Sequence, residues 1–358
     1  MGSNSFGTLF RCMTWGESHG KAIGVVIDGC PAGIDISEED INRELFKRAP
    51  GKTPYTSQRK EKDHAKILSG TFEGRTTGTP ISIIIFNRDR DSSKYESIKH
   101  LMRPGHANFT YLKKYGIFDY RGGGRSSARE TACRVAAGAV AKKLLSYQKI
   151  QLITYIYAVD DLSIKEKDFQ FLPSSPIFCP DAATNTLIME KIIQAQKEQD
   201  SLGGIVECCA ENLPIGLGDP LYEKLEANLS KSMMTLPGSK GFEIGSGFTS
   251  ACMRGSEHND PFILNNRGNV TTETNHAGGT LGGISTGLPL IFRVAFKPTS
   301  SIGKIQKTVD SSGQECTLQL PKGSRHDPCL ALRAVPVVES MAALVLADAL
   351  LMNRVATL

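Results

Sequence analysis

Long apolar runs are scarce in this 358-residue chain: none approaches the roughly 20 residues that a membrane helix needs, and the first residues lack the apolar stretch of a signal peptide. Met1-Gly2 does not open a myristoylation motif either, because Phe6 stands where Ser or Thr is required. Paired cysteines are missing too. The nine cysteines (12, 30, 133, 179, 208, 209, 252, 316 and 329) are scattered and contain no C-x-x-C spacing, which argues against a zinc or dithiol site and implies a reducing cytosol. Charge of one sign is not in large excess: 42 basic against 37 acidic residues leave +5, too little to announce nucleic acid and enough to allow small anions. Neither an internal repeat nor a linker rich in Pro, Gly and Ser divides the chain, so residues 1–358 read as one domain. With 40% apolar and 22% charged residues, disordered and fibrous classes are excluded.

Glycine is abundant. The 35 glycines are roughly a tenth of the chain against a usual share of about 7%, so sharp turns and close backbone approaches are expected. Strands are expected at Ala22–Asp28, 81–86, 204–210 and Leu290–Phe296, from apolar or β-branched runs bounded by turn residues. Ser37 caps a helix carrying Ile41 and Leu45 on one face. Ser127-Ala-Arg-Glu130 reads as a capping box for a helix running to about Leu145. Further helices are expected near 187–199, at 219–233 with Asp219 as cap and Pro220 in the first turn, and over 337–353, which must pack against something. Helices and strands mix without regular β-α-β alternation, which favours an α+β fold.

The densest chemistry lies between residues 103 and 134, where Arg103, Arg121, Arg125, Arg129 and Arg134 accompany His106 around Gly122-Gly123-Gly124. Glycines that admit a ligand to the backbone, the hydroxyls of Ser126 and Ser127, and arginines able to form bidentate bonds together suit an anion site; a solvated basic helix face is the alternative. The stretch 275–287 holds five glycines and suits a loop that hugs a cofactor, although it matches neither a Walker loop nor G-x-G-x-x-G; plain turns would serve equally. Lys297-Pro-Thr-Ser-Ser301 offers one cation and three hydroxyls, a mixture suited to a monophosphate, although a surface turn is just as common for such a segment. Gly16-Glu-Ser-His-Gly20 fits the nucleophile elbow of serine hydrolases around Ser18, yet an apolar strand follows it where the elbow needs a helix. His19 is the other candidate there, as a proton donor. Arg325-His326-Asp327-Pro328 sets a carboxylate beside a cation.

In this order the motifs Gly16-Glu-Ser-His-Gly, Arg103-Pro-Gly-His-Ala, Gly122-Gly-Gly-Arg-Ser-Ser-Ala-Arg-Glu-Thr131, Gly282-Gly-Ile-Ser285, Lys297-Pro-Thr-Ser-Ser-Ile302 and Arg325-His-Asp-Pro-Cys329 resemble those of chorismate synthases of the short bacterial type, over nearly the whole chain. The resemblance implies a β-α-β sandwich, central helices flanked by antiparallel sheets, and a homotetramer. It also implies conversion of 5-enolpyruvylshikimate 3-phosphate to chorismate and phosphate by 1,4-anti elimination with reduced FMN and no net redox change. By motif match, Arg48, Arg103, Arg129 and Arg325 would hold the substrate, with Ser127 nearby. His19 would serve the departing phosphate, His106 the reduced flavin, and Asp327 proton transfer at the flavin. Arg125, Ser126, Ser127, Pro237, Gly238, Gly282, Lys297, Pro298, Thr299, Ser300, Ser301 and Arg325 would bind FMN. An external flavin reductase or an intrinsic NADPH-dependent activity would reduce it, and neither nucleic acid nor a membrane is implied as a partner. Two departures stand out: Pro54 replaces a second arginine, with Lys52 or Arg59 as substitutes, and Leu236-Pro237-Gly238 replaces Asn-Ala at the flavin, leaving the backbone to serve.

Overall fold

The computed structural model describes residues 3–51, 53–57, 63–88, 91–321 and 326–356. Five strands, β1 (Ser5–Phe6), β2 (Arg11–Gly16), β3 (Ala22–Asp28), β4 (Ala65–Ser69) and β5 (Ile81–Phe86), form one antiparallel sheet in the order β1-β2-β3-β5-β4. Five more, β6 (Gln151–Val159), β7 (Leu162–Ser163), β8 (Gly204–Glu211), β9 (Ser239–Ile244) and β10 (Leu290–Phe296), form a second in the order β9-β10-β8-β6-β7. The strands expected at Ala22–Asp28, 81–86 and Leu290–Phe296 have those bounds, and the fourth runs one residue further, to Glu211.

Alternation within β5 sets Ile81, Ile83 and Ile85 on the inner face, all fully buried. Between the sheets lie α1 (Glu38–Arg48), α2 (Thr131–Ser146) and α3 (Ala331–Met352). The helix α2 packs on β3 and on α3, and α3 packs on β6 and β8, so two central helices separate two antiparallel sheets. Their crossing is tight: a Cβ on Gly138 would lie 2.4 Å from Cβ of Ser340. Buried residues of both sheets and all three helices make one continuous core. This is the expected α+β sandwich.

Sequence signals at the helix starts were less faithful. Ser37 caps α1, as expected, and Asp40 closes a capping box with it. At Ser127 there is no capping box; its hydroxyl accepts from Arg129 N, a 3-10 turn spans Ala128–Glu130, and α2 begins at Thr131. Glu130 is drawn off instead by Arg134, 2.9 Å away, and by the Thr14 hydroxyl. Asp219 caps nothing: a 3-10 turn follows it, and the helix starts at Leu225. Asp181 is the cap for Ala182–Lys197, through Oδ1 to Thr184 N. The helix α3 starts six residues before Val337 and includes Pro336. By length and composition its span to Val355 would cross a membrane, contrary to the expectation above, but 78% of its apolar window is buried within the protein, as in a core helix. All nine cysteines are free thiols.

Candidate active site

Loops at one end of the two sheets, together with the starts of α2 and α3, enclose a cavity of about 520 Å³. His19 comes from the turn between β2 and β3, Arg48 from the end of α1, and Arg103 and His106 from the loop before the helix Asn108–Tyr115. Gly122, Gly123, Ser126, Ser127 and Arg129 come from the approach to α2, Pro237 and Gly238 from the residues before β9, and Lys297 to Ser301 from those after β10. His326, Asp327 and Arg333 complete it around the start of α3.

Cations converge on this space. Arg48 and Arg129, 3% and 5% exposed, are buried in its wall and share the carboxylate of Asp63, Arg48 Nη1 at 3.2 Å from Oδ2 and Arg129 Nη1 on Oδ1. Arg48 is further fixed by Nε to Thr131 Oγ1 at 2.9 Å and Nη2 to Ala128 O at 2.8 Å. Each guanidinium thus has its plane set before any ligand arrives, as bidentate anion binding requires. Lys297 Nζ donates to Gly105 O at 3.0 Å and to Ser300 Oγ; burial and then Lys240 lower its pKa.

The histidines differ. His106 Nδ1 donates to Pro104 O at 2.9 Å, which fixes the tautomer, so the one Nε2 lone pair accepts from Arg103 Nη2 at 2.7 Å, with the Ser301 hydroxyl 2.9 Å from the same nitrogen. Burial first and then the Arg103 guanidinium hold its pKa down to about 4, with Lys297 and His326 adding to the effect, so the ring is neutral at neutral pH. His326 is lowered by burial and Arg103, with Asp327 opposing. His19, 8% exposed, pairs Nδ1 with Ser92 Oγ at 2.8 Å and meets Tyr95 edge to face. Asp327 accepts from Ser57 N at 2.9 Å on Oδ1 and from Arg333 Nη1 at 2.7 Å on Oδ2, which aims the carboxylate.

Most of the expected site residues meet here: His19, Arg48, Arg103, His106, Ser126, Ser127, Arg129, Pro237, Gly238, Lys297, Pro298, Thr299, Ser300, Ser301 and Asp327 line one cavity. Two do not. Arg125 turns away, with Nη2 on Thr14 O at 2.7 Å and Nε on Asn4 Oδ1 at 3.2 Å, and Gly282 is exposed in the turn between Thr280–Leu281 and Ile284–Ser285. Arg325, with Lys52 and Arg59, lies outside the described residues. Pro54 is exposed, and its carbonyl accepts from Gln196.

The glycine run at 275–287 does not line the cavity; Gly278 abuts the backbone of Gly245 and Gly279 that of Pro289, so these glycines allow backbone packing. Arg121 pairs with Asp119 and Arg134 with Glu130, so these two arginines are held by neighbouring carboxylates. Ser18 is buried in a strand-turn-strand, not at a strand-to-helix elbow. Sequence reasoning missed Asp63 and Asn87, which touch the ligand-facing groups from behind, and Arg333, which lines the cavity and pairs with Asp327; only the fold shows them.

A family model for chorismate synthase matches residues 10–351. A protein named chorismate synthase from Protochlamydia amoebophila is 57% identical over 366 residues, covering 99% of each chain. One of the same name from Chloroflexus aurantiacus is 51% identical over 99% of this chain and 97% of its own. A crystal structure of chorismate synthase superposes with a TM-score of 0.76 at 32% identity, over 97% of this chain and 93% of that one.

Proposed function

Because the chain belongs to the chorismate synthase family, lyases of the last shikimate-pathway step, we propose that it converts 5-enolpyruvylshikimate 3-phosphate to chorismate and phosphate by 1,4-anti elimination with reduced FMN. The observation that carries this reading is the convergence of Arg48, Arg103, Arg129, Lys297 and Arg333 with His19, His106 and His326 on one cavity. A substrate with one phosphate and two carboxylates, beside a cofactor with a further phosphate, calls for such an excess of fixed cations.

The wall also suits the cofactor. Thr299 Oγ1 and Arg103 Nε are buried without a hydrogen-bond partner among the described residues, which a bound polar ligand would remedy. At Gly105 a Cβ would come within 2.5 Å of Ser300 Oγ, and at Gly122 within 2.3 Å of His19 Cδ2, so bare backbone leaves these side chains their places. Lys297, Thr299, Ser300 and Ser301 would hold the FMN phosphate, with Ser126, Ser127, Pro237 and Gly238 along the rest. When bound, reduced FMN supplies transient electron density to the substrate, with no net redox change.

Arg48, Arg103 and Arg129 bind and orient the anion so that the C3–O bond to phosphate faces His19. As that bond breaks, its electron pair leaves with phosphate, and His19 delivers a proton to the departing oxygen. His106, neutral and held by Arg103 and Ser301, offers its Nε2 lone pair to a proton inside the cavity. Asp327, steadied by Arg333, accepts the proton released from C6. We include in this reading a homotetramer, a cytoplasmic location, a single domain, and flavin reduction by NADPH through the chain itself or by a separate reductase. Anaerobic incubation of purified protein with 5-enolpyruvylshikimate 3-phosphate and dithionite-reduced FMN tests it: chorismate and phosphate should appear in equal amounts, and oxidised FMN should give none. Absence of product with the reduced flavin overturns the reading.

A further inference from the structure

Asn87 follows β5, is 4% exposed, and is absent from the cavity wall, yet its side chain holds Arg129, which lines that wall, and the turn that presents His19. Its Nδ2 donates to Glu17 O and to Gly20 O, each at 3.0 Å, gripping both ends of the turn that presents His19. Its Oδ1 accepts from Arg129 Nε at 2.9 Å, and its backbone N–H donates to Lys21 O at 3.1 Å. The two carbonyls demand donors and the guanidinium demands an acceptor, so only one orientation of the amide satisfies all three partners. Arg129 then passes to Asp63 and through it to Arg48.

We propose that Asn87 is a positioning residue that sets the His19 turn and Arg129 in register, so that the proton donor and the anion-binding guanidinium address the same substrate. The inference rests on the roles proposed above for His19 and Arg129. Its physical basis is that a misplacement of about 1 Å costs on the order of 10²-fold in rate, whereas one arm of a buried amide can be lost without the other.

That separability gives the test. Asn87→Asp is nearly isosteric, keeps an acceptor for Arg129, and sets an anion against the Glu17 and Gly20 carbonyls, releasing only the His19 side. Steady-state kinetics of this variant under anaerobic conditions with reduced FMN should show kcat at least tenfold lower with KM for 5-enolpyruvylshikimate 3-phosphate within twofold, and a shifted limb in the pH profile of kcat. Asn87→Ala, losing both arms, should lower kcat and raise KM together; if it does not fold, Asn87→Asp alone decides. A kcat within twofold of the parent for Asn87→Asp, or a raised KM with kcat unchanged, overturns the proposal. His19→Ala and Arg129→Ala, measured alongside, separate the two claims. Parent-like kinetics in both would sink the roles on which the proposal rests, whereas impaired kinetics in both beside a normal Asn87→Asp would sink the positioning role alone.

Discussion

Arg103 Nη2 lies 2.7 Å from His106 Nε2, so a permanent cation donates to the one lone pair the imidazole has left. Protonating Nε2 would break that bond and set two positive charges face to face in a buried wall. The ring is therefore held neutral, and the anions proposed for the cavity would raise its affinity for a proton by screening Arg103.

Folding stability should carry the mark of this pair. The folded His106 pKa of about 4 lies below the unfolded value of about 6.5, so the unfolded chain takes up the proton first. The contribution is complete above pH 6.5 and declines as pH falls to about 4, by about 3 kcal/mol at most. Urea midpoints at pH 7 and 4.5 should therefore differ less in His106→Asn than in the parent; equal declines in both would contradict the assignment.

His19→Ala and His106→Ala should each bind FMN normally, as read by flavin fluorescence, and lose turnover by about 10²-fold or more. Near-normal turnover in either would remove that histidine from the reaction.

Gly122 has φ +62° and backs onto His19, where a Cβ would lie 2.5 Å from Nε2. Gly122→Ala should displace the ring and lower kcat by about tenfold or more while the thermal midpoint falls only a few degrees. Unchanged kcat would show that the turn tolerates the shift.

Asp327→Asn should retain cofactor and lose turnover, because the carboxylate that Arg333 and Ser57 orient can no longer accept a proton. Full activity in a progress curve would clear Asp327 of proton transfer.

Away from the site, Gly138→Val should destabilise the protein by about 1–3 kcal/mol through overpacking against Ser340. A chemical denaturation midpoint equal to the parent's would mean that the central helices separate freely.

The sequence made β3, β5 and β10 legible because buried strands gather apolar and β-branched residues into short runs that turn residues end, and Ser37 because its cap has no competitor. Where a cap residue had a stronger tertiary partner the local signal misled: Glu130 went to Arg134, and the box at Ser127 never formed. For the site, motif matches brought fifteen expected residues to one cavity. The glycine run at 275–287 looked like a ligand loop because glycine reports only that space is short, not whether ligand or backbone takes it. Asp63 and Asn87 stayed hidden for a related reason: a carboxylate or amide acquires its role from partners distant in the chain, Arg129 being 42 positions from Asn87.

The cavity draws its first lining side chain from His19 and its last from Arg333, nearly the full reach of the chain. A nascent polypeptide therefore has no partial active site to offer: until α3 has docked and closed the far wall, the cations of the earlier loops face one another without the counter-surface that makes them selective. Catalytic competence in this protein should arrive late and all at once, with the completion of the core.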